Sequence, residues 1–432
     1  MMVIMGMFQQ ASPLFFDISS TKNRFLMAHF KQYSLLILLL FPLLLWGCAP
    51  PQDDSGLLDL SWDEIVEEAR GGSLTLMMWM GDPLINDYMN NFVVPQVKER
   101  YDINLNIVSG QGTQVVSTLM AELESGRRTS QIDQMWINGE TFFQLREIDA
   151  LFGPFTDVLP NARYVDFDNP FIGYDFQQPV DGYEAPWGNV QLALIYNPGQ
   201  VSNLPHSLDE FEAWAETNPG RFTIPTEFTG MTFLKSMMIS LADDSTKFHG
   251  PFSEDVYQRY STELWDRINA MKPNFWRQGR TFPNSIAQLH QLFANGEIAF
   301  TMSNNDSEVD NKIAQGLFPP TSRAYVPRMG TIQNSHYMGI PKHSANKAEA
   351  LVTINFLMSP EAQFEKMKPD VWGDATILNI TSLPDEWQQR FAEIPGRQQA
   401  PNRSDIQPYA LMEPDPEYMI RIFEDFRREV VN

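Results

Sequence analysis

The amino-acid sequence predicts an α/β protein with two lobes. Its 432 residues are too many for one hydrophobic core of ordinary size and suit two domains of about 150 to 200 residues. From residue 74 onward, strand patterns and helix patterns alternate along the chain, and the alternation starts again near residue 207. A long chain with two such series is typical of two α/β domains.

The first series contains three strand patterns. The continuous apolar run at residues 74–79 has the length and composition of a central parallel strand. Residues 103–107 alternate apolar residues with asparagine, and residues 131–137 form the third pattern. Apolar residues at helical spacing follow each strand, and Gly126 closes the second of these helices. This order predicts parallel strands joined by right-handed crossovers.

The second series begins with a capping box at residues 207–210, which predicts the start of a helix. Residues 221–225 and 298–302 are predicted strands, and helix patterns follow Phe228 and precede Gly296. The remaining predicted elements are an apolar helix at residues 348–358 and a further helix with Ser359 as N-cap and Pro360 in its first turn.

The N-terminal region has the features of an export signal. Residues 35–45 are almost wholly apolar; this run is too short for a membrane span of about 20 residues but suits a signal peptide. Residues 1–47 are therefore predicted to be a signal peptide. The true start is expected at Met27, because a short basic segment leads from there into the apolar run.

Cys48, the single cysteine of the chain, follows Gly47 at the end of this signal. The segment looks like the lipobox of bacterial lipoproteins, in which the cysteine is acylated and becomes the first mature residue, although Trp46 departs from the usual small or aliphatic residue. Residues 48–55 lack a core-forming pattern and are expected to be a tether. Ala49 resembles a signal for outer-membrane sorting, so we expect a periplasmic protein held by lipid, with the outer membrane favoured.

Composition excludes several classes of partner. The net charge is −23, which does not suit nucleic acid or electrostatic adsorption to anionic lipid. Contact with a membrane is therefore expected only through the lipid anchor. A single cysteine allows neither an intramolecular disulfide nor a cysteine-based zinc site.

Sequence motifs of catalysis are absent from the chain. It contains no phosphate-binding P-loop, no H-E-x-x-H and no G-x-S-x-G, and its six histidines lack metal-ligand spacing. We therefore expect no catalytic residue, no metal and no cofactor. A carboxylate pair for glycan hydrolysis is invisible in a sequence, so a lipid-anchored hydrolase acting on glycans stays an alternative. A surface adhesion or assembly lipoprotein is a third interpretation.

Polar and aromatic residues stand after several predicted strands. In open α/β sheets, ligands bind beyond the carboxyl ends of strands, and domain interfaces favour ligand sites. The residues at such positions that we expect to line a cleft between the lobes are Trp79, Asp82, Asn138, Glu140, Trp187, Glu227, Thr229 and Asn304.

Three segments resemble the extracellular solute-binding proteins of ABC importers. They are EAPWG with LALIYNP within residues 184–198, NGEIAFTMS at residues 295–303, and GIPKHSANKAEA with NFLMSPEA within residues 339–362. The motifs WMGDP, WINGE, APWG, FTG and VWGD, beginning at residues 79, 136, 185, 228 and 371, are similar to those of the YnjB-type substrate-binding lipoproteins.

The resemblance implies a two-lobed periplasmic-binding-protein type II fold with a hinge and an interlobe ligand cleft. It implies that lobe I comprises residues 56–187 plus 327–358 and lobe II residues 188–326 plus 359–432. It also implies capture of a small solute and delivery to an ABC permease that a separate ATPase drives. A monomer without enzymatic activity is expected.

Within such a cleft, the candidate residues have distinct expected roles. Trp79 and Trp187 are expected to stack on the ligand. The amide and hydroxyl groups of Asn138, Thr229 and Asn304 are expected to form hydrogen bonds with it. The carboxylates of Asp82, Glu140 and Glu227 are expected to pair with a cationic group. Tryptophan beside carboxylates suits an organic cation, which we prefer to a sugar, although Glu140 equally fits a charge that stabilises a helix N-terminus.

Overall fold

A computed structural model describes residues 54–432. The predicted signal peptide, Cys48 and nearly all of the predicted tether lie outside the described residues. The helices are α1 Trp62–Ala69, α2 Pro83–Tyr88, α3 Val94–Tyr101, α4 Gly112–Glu124, α5 Gly139–Glu147, α6 Pro170–Gly173, α7 Leu208–Thr217, α8 Phe228–Ser240, α9 Glu254–Met271, α10 Ile286–Ala294, α11 Glu308–Ala314, α12 Lys347–Leu357, α13 Pro360–Met367, α14 Asp385–Ala392, α15 Arg403–Ile406 and α16 Pro416–Asp425. The strands are β1 Ser73–Met78, β2 Asn104–Ser109, β3 Gln134–Ile137, β4 Tyr174–Asp175, β5 Gln178–Pro179, β6 Glu184–Gln191, β7 Ala193–Tyr196, β8 Phe300–Ser303, β9 Arg323–Tyr325, β10 Thr331–Gly339 and β11 Ala410–Leu411.

Two sheets organise these elements. The larger has the order β11-β10-β3-β1-β2, and β6 pairs with β10 as a further strand. β1 is parallel to both β2 and β3, as the alternation of strands and helices predicts, whereas β10 is antiparallel to β3 and β6. The smaller sheet has the order β8-β7-β9 and is antiparallel throughout. Lobe I contains β1, β2 and β3 of the larger sheet, and lobe II contains the smaller sheet together with β11.

The strands β6 and β10 run from one lobe to the other. Trp187 of β6 lies in the core of lobe I. Leu192, the residue that follows the end of β6, lies in the core of lobe II. β10 likewise places Ile332 in the core of lobe II and Met338 in that of lobe I. The two antiparallel strands therefore cross between the lobes side by side, a few residues from the crossings expected near residues 187 and 327.

A third crossing follows α14, within residues 395–402. Ala362 and Trp372 pack in the core of lobe I, and Phe391 belongs to a cluster beside Tyr164 of the same lobe. From Ile406 onward the buried side chains join the core of lobe II. Residues 359–394, expected in lobe II, thus cover lobe I, because apolar contacts between elements distant in sequence determine where they pack.

Most predicted elements of both series are present, with shifted bounds. Residues 221–225 differ, since they form no strand in the described chain; Phe222 makes only an isolated bridge to Phe275. Ser207 caps α7 as expected, and its hydroxyl accepts a hydrogen bond from the amide of Glu210. Among residues 54–432, no helix has both the length and the apolar character needed to cross a membrane.

Candidate functional site

Four tryptophans and one histidine form an aromatic cluster at the edge of lobe I. Its members are Trp79, Trp136, Trp187, His336 and Trp372. The rings of Trp136 and Trp187 meet edge to face with centroids 4.9 Å apart, and Trp187 lies 5.2 Å from Trp372. Trp79 is 6.5 Å from Trp136, and His336 stacks nearly parallel on Trp372. Such contacts hold the rings in fixed orientations.

The aromatic cluster has an outer and an inner layer. Trp79 and Trp136 are partly exposed. Trp187 is 0% exposed and Trp372 is 3% exposed. The stacking surface expected at Trp187 is therefore not open to a ligand in this conformation, because neighbouring rings cover it. Trp136, at the end of β3, presents the partly exposed ring instead.

A buried ion pair lies next to this cluster. The ammonium of Lys366 lies 2.6 Å from a carboxylate oxygen of Asp374, and the imidazole of His336 lies 3.4 Å from the other. Burial opposes the charge of Asp374, but Lys366 and His336 together hold the pKa of Asp374 below its ordinary value. Gly188 leaves room for this arrangement, since a Cβ there would lie 2.2 Å from Asp374.

Three helix N-termini near these residues are occupied by carboxylates of the protein. Asp82 caps α2, with an oxygen 2.8 Å from the amide nitrogen of Leu84. Glu227 caps α8 and accepts a hydrogen bond of 3.1 Å from the amide of Thr229. At α5, the amide of Gly139 favours the charged form of the buried Asp175, against the effect of burial. The carboxyl groups of the protein therefore already interact with N–H groups at these three helix starts.

Asp82 also joins the two lobes. Its second oxygen lies 2.6 Å from the ammonium of Lys312, which stands on α11 of lobe II. The same ammonium lies 3.1 Å from the carboxylate of Glu308. On the same helix, the side-chain amide of Asn311 donates to the backbone carbonyl of Trp372 at 2.6 Å. The ion pair therefore stands beside the aromatic cluster, at a contact between the lobes.

Glu227, Thr229 and Asn304 form a hydrogen-bonded set in lobe II. The amide of Asn304 donates to the hydroxyl of Thr229 at 3.3 Å, and this hydroxyl donates to Glu227 at 3.3 Å. Burial raises the pKa of Glu227 above its ordinary value, while hydrogen bonds from the start of α8 act in the opposite direction.

Asn138 and Glu140 stand at the start of α5. The side chain of Asn138 makes no capping hydrogen bond and is partly exposed. Glu140 accepts a hydrogen bond from Gln144, and burial raises the pKa of its carboxyl, against the attraction of the Lys235 ammonium. Lys235 stands in the middle of α8 of lobe II, so its ammonium acts on Glu140 from the other lobe.

Asp175 and Glu184 are a pair of buried acids. Both side chains are buried, and burial raises the pKa of each carboxyl well above its ordinary range. In the acid/base pair of a hydrolase the two pKa values are pushed apart, whereas burial raises both of these in the same direction. A glycan cannot reach them here, because Glu184 is 0% exposed. Among residues 54–432, no group of three acids, histidines or cysteines is placed to hold a metal ion.

Comparison with protein families identifies the class of the chain. The model of the family described as bacterial extracellular solute-binding protein matches residues 93–393. The chain belongs to this family. A relative from Escherichia coli strain K12, the protein YnjB, is 35% identical over 328 residues, which cover 75% of this chain and 84% of the relative.

Solved structures show the same two-lobed fold. The chain is similar to the spermidine/putrescine ABC transporter substrate-binding protein PotD from Streptococcus pneumoniae, with a TM-score of 0.58 at 14% identity, over 83% of this chain and 99% of the other. It is also similar to the periplasmic binding protein AfuA from Actinobacillus pleuropneumoniae with fructose-6-phosphate bound, with a TM-score of 0.57 at 14% identity, over 83% and 98%. The names of these two neighbours give solutes of opposite charge, so the shared fold does not identify a solute.

In this solute-binding protein, the eight predicted residues fall into four groups. Trp79 and Trp187 belong to the aromatic cluster, Asp82 to the interlobe ion pair, Asn138 and Glu140 to the start of α5, and the others to the set on α8 and β8. The ion pair and the aromatic cluster touch through Asn311 and Trp372. Within residues 54–432, no hydrogen bond joins Asn304 directly to Asn138.

Four further residues belong to this site although sequence reasoning did not select them. Trp136 and Trp372 lie inside the WINGE and VWGD motifs and could have been found there. His336 and Lys312 carry no sequence signal of this kind, since each stands in an ordinary strand or helix pattern. Their place becomes visible only when distant elements meet.

Proposed function

We propose that this solute-binding protein is the receptor of an ABC importer, and that it captures a small polar organic cation between its lobes. The observation that supports a cationic ligand is that carboxyl groups of the protein interact with the N–H groups of three helix starts. These carboxyl groups belong to Asp82, Asp175 and Glu227. The receptor function itself follows the family.

The carboxyl groups at the helix starts disfavour an anionic ligand. A free helix N-terminus offers backbone N–H groups to a phosphate or carboxylate. Here the nearest side chains are carboxyl groups of the protein, which already interact with these N–H groups, so an anionic ligand would have to displace them. A cationic group would instead favour the charged form of these carboxyl groups. The site is therefore selective for positive or neutral solutes.

Two carboxylates are the preferred partners of the ligand's cationic group. Glu140 and Glu227 form no ion pair within residues 54–432, and each is only partly exposed. Burial raises the pKa of both carboxyls, which a bound cation would reverse by favouring their charged form. Ligand capture and ionisation of these groups would therefore be coupled.

The aromatic cluster adds a surface for the organic part of the ligand. Trp79 and Trp136 are partly exposed, and Trp187 packs edge to face against Trp136. A cation over a tryptophan face is attracted by about 0.5 to 2 kcal/mol. Asn138, Thr229 and Asn304 would hydrogen bond to its polar groups. The name of the pneumococcal neighbour, a spermidine/putrescine binding protein, agrees with this class of ligand.

The proposal includes the partners and the location of the protein. Closure of the lobes around the ligand would create the form that docks on a membrane permease, whose transport a separate ATPase drives. Acylation of Cys48 would hold the body at a membrane of the periplasm, with the outer membrane favoured. We propose a monomer that catalyses no reaction and needs no cofactor.

Mass spectrometry of solutes that co-purify with the protein tests this proposal. A thermal-shift series with organic cations, zwitterions, sugars and organic anions of similar size supplies the comparison, since a ligand raises the midpoint by mass action. We expect a cationic solute in the purified protein and the largest shift with cations. A co-purified organic anion, or a rise of the unfolding midpoint with anions alone, would refute the proposal that the ligand is a cation.

A further inference from the structure

We propose that the tip of the β4–β5 hairpin links the start of α5 in lobe I to lobe II. Phe176 and Gln177 at this tip thereby position Asn138 and Glu140, which stand at the start of α5. This inference rests on the proposed function, because it concerns two residues that we propose to hold the ligand.

The hairpin is rooted in lobe I. β4 and β5 pair antiparallel, and the amide of Val180 donates to the carbonyl of Gly173 at 3.1 Å, which closes the base of the hairpin. Val180 packs in the same apolar cluster as Ile137 of β3 and Tyr337 of β10. The hydroxyl of Tyr337 also donates to the carbonyl of Ile172, just before the base, at 2.8 Å. Both ends of the hairpin are therefore held by side chains of lobe I.

The tip of the hairpin lies in lobe II. Phe176 is 1% exposed and belongs to the core cluster of that lobe. The side-chain amide of Gln177 has two main-chain partners there. Its oxygen accepts a hydrogen bond from the amide of Gly250 at 3.0 Å, and its nitrogen donates to the carbonyl of Glu413 at 2.6 Å. Because these partners come from distant segments of lobe II, one side chain joins the tip to both segments.

The backbone of the tip disfavours the two residue types that stand there. Phe176 and Gln177 have φ values of +47° and +62°, the left-handed conformation in which two-residue hairpin turns usually have glycine or asparagine. Phenylalanine and glutamine are less favourable in this conformation, because their Cβ atoms crowd the backbone. The contacts of both side chains with lobe II offset this cost.

The tip also contacts the start of α5. A Cβ at Gly139 would lie 1.9 Å from Cδ2 of Phe176, so the aromatic ring lies directly against Gly139. Gly139 stands between Asn138 and Glu140 in the sequence. The ring centroid of Phe176 is 4.2 Å from the ammonium of Lys235 on α8, which attracts the carboxylate of Glu140. The ring therefore contacts α5 of lobe I and α8 of lobe II.

Movement of lobe II relative to lobe I would be transmitted through this tip. Gln177 moves with lobe II as long as its two hydrogen bonds persist, and the ring of Phe176 lies between its lobe II contacts and Gly139. A rotation of lobe II therefore either displaces the start of α5 or breaks contacts of the tip. Asn138 and Glu140 keep the arrangement described above only while the tip is attached to lobe II.

A second contact between the lobes offers an alternative. α16 of lobe II also packs against α5 and could by itself hold this helix in place. Two neighbouring glutamines separate the alternatives. Gln177→Met keeps the length of the side chain and removes both hydrogen bonds to lobe II. Gln178→Met is the matched control on the same hairpin, because the amide of Gln178 lies 3.4 Å from the carboxylate of Asp415, a weaker contact.

Hydrogen–deuterium exchange of the full chain, purified in detergent without added solute, tests the inference. In Gln177→Met, we expect the amides of residues 142–145, in the first turns of α5, to exchange about tenfold faster than in the wild type, the usual effect of one or two lost hydrogen bonds. Exchange in β1 of lobe I should stay unchanged, and Gln178→Met should match the wild type throughout. Phe176→Leu removes the ring from Gly139 and should release the same residues of α5, even if Gln177→Met does not fold.

Calorimetric titration with 1,4-diaminobutane, as a probe of the proposed cation, tests the positioning role. Gln177→Met should raise the Kd of this amine about tenfold, because Asn138 and Glu140 lose their arrangement. Gln178→Met should leave the Kd unchanged.

Each other outcome has a definite meaning. Wild-type exchange at residues 142–145 in both Gln177→Met and Phe176→Leu would overturn the inference in favour of α16. Equally faster exchange in β1 would make the hairpin a general stabilising element and would overturn the inference too. Faster exchange in α5 with an unchanged Kd would overturn the positioning of the ligand groups. Failure of the wild type to bind 1,4-diaminobutane would contradict the proposed cation alone, since the exchange rates decide the link between the lobes.

Discussion

The side-chain amide of Asn304 donates a hydrogen bond of 3.3 Å to the hydroxyl of Thr229, although the two residues stand 75 positions apart. The hydroxyl in turn donates a hydrogen bond to Glu227, so the three side chains form a series of hydrogen bonds that ends at a carboxyl group. β8 positions Asn304 directly after its last residue, and the first turn of α8 positions Thr229. Two residues predicted from separate loops thus meet in one hydrogen-bonded set.

Thr229→Val should weaken solute binding without unfolding the protein. The substitution keeps the shape of the side chain but removes the hydroxyl that orients Asn304 and Glu227. Loss of one such hydrogen bond corresponds to about a 2- to 30-fold rise in Kd. Thr217→Val, on the exposed end of α7, is the matched control and should leave Kd unchanged. Equal affinities of wild type and Thr229→Val would show that this hydrogen-bonded set does not contribute to solute binding.

Gly188→Ala should destabilise the support of the aromatic cluster. A Cβ at this position would lie 2.2 Å from Asp374 and 2.4 Å from His336, so the buried ion pair would have to move. We expect a loss of about 2 kcal/mol or more in the free energy of unfolding, measured by denaturant titration. Gly396→Ala is the control, because nothing lies within 4 Å of a Cβ there. Similar stabilities of the two variants would contradict the proposed crowding.

Glu349 should make stability fall as pH rises. Burial raises the pKa of its carboxyl from 4.5 to about 7, and Asp133 nearby acts in the same direction. Because the folded state holds this proton more tightly, the stabilisation is complete below about pH 4.5 and is lost as pH rises through about 7. Glu349→Gln should therefore show a smaller fall of Tm between about pH 5 and pH 8 than the wild type. The exposed Glu386→Gln should keep the wild-type fall, and a parallel fall in Glu349→Gln would argue against this assignment.

Cys48→Ala should release the protein from the membrane. If acylation of Cys48 is the anchor, its removal leaves only the acidic body, which anionic lipid repels. Fractionation of cells should move the protein from the membrane pellet to the periplasmic extract, and fatty-acid labelling should be lost. Membrane association that persists in Cys48→Ala would point to a different anchor.

Local patterns predicted the elements of lobe I well. The apolar run at residues 74–79 predicts a central strand, and β1 occupies Ser73–Met78. Gly126 has a φ of +66°, the left-handed conformation in which glycine ends a helix. These features depend on a few neighbouring residues, which a sequence displays directly.

Relationships between distant residues could not be predicted in this way. Trp187 was expected to face a ligand, but its exposure depends on Trp136 and Trp372, which other strands and loops bring over its ring. Lys312 pairs with Asp82 across 230 positions. Residues 221–225 have the composition of a strand but lack a partner strand. The place of residues 359–394 on lobe I similarly results from packing.

Hydrogen–deuterium exchange of the protein with and without its co-purified solute tests the central claim most directly, namely that one small cation is held by both lobes. We predict slower exchange in lobe I at the starts of α2 and α5, and in lobe II at the start of α8, when the solute is bound. Protection confined to one lobe, or absent from all three helix starts, would contradict binding between the lobes.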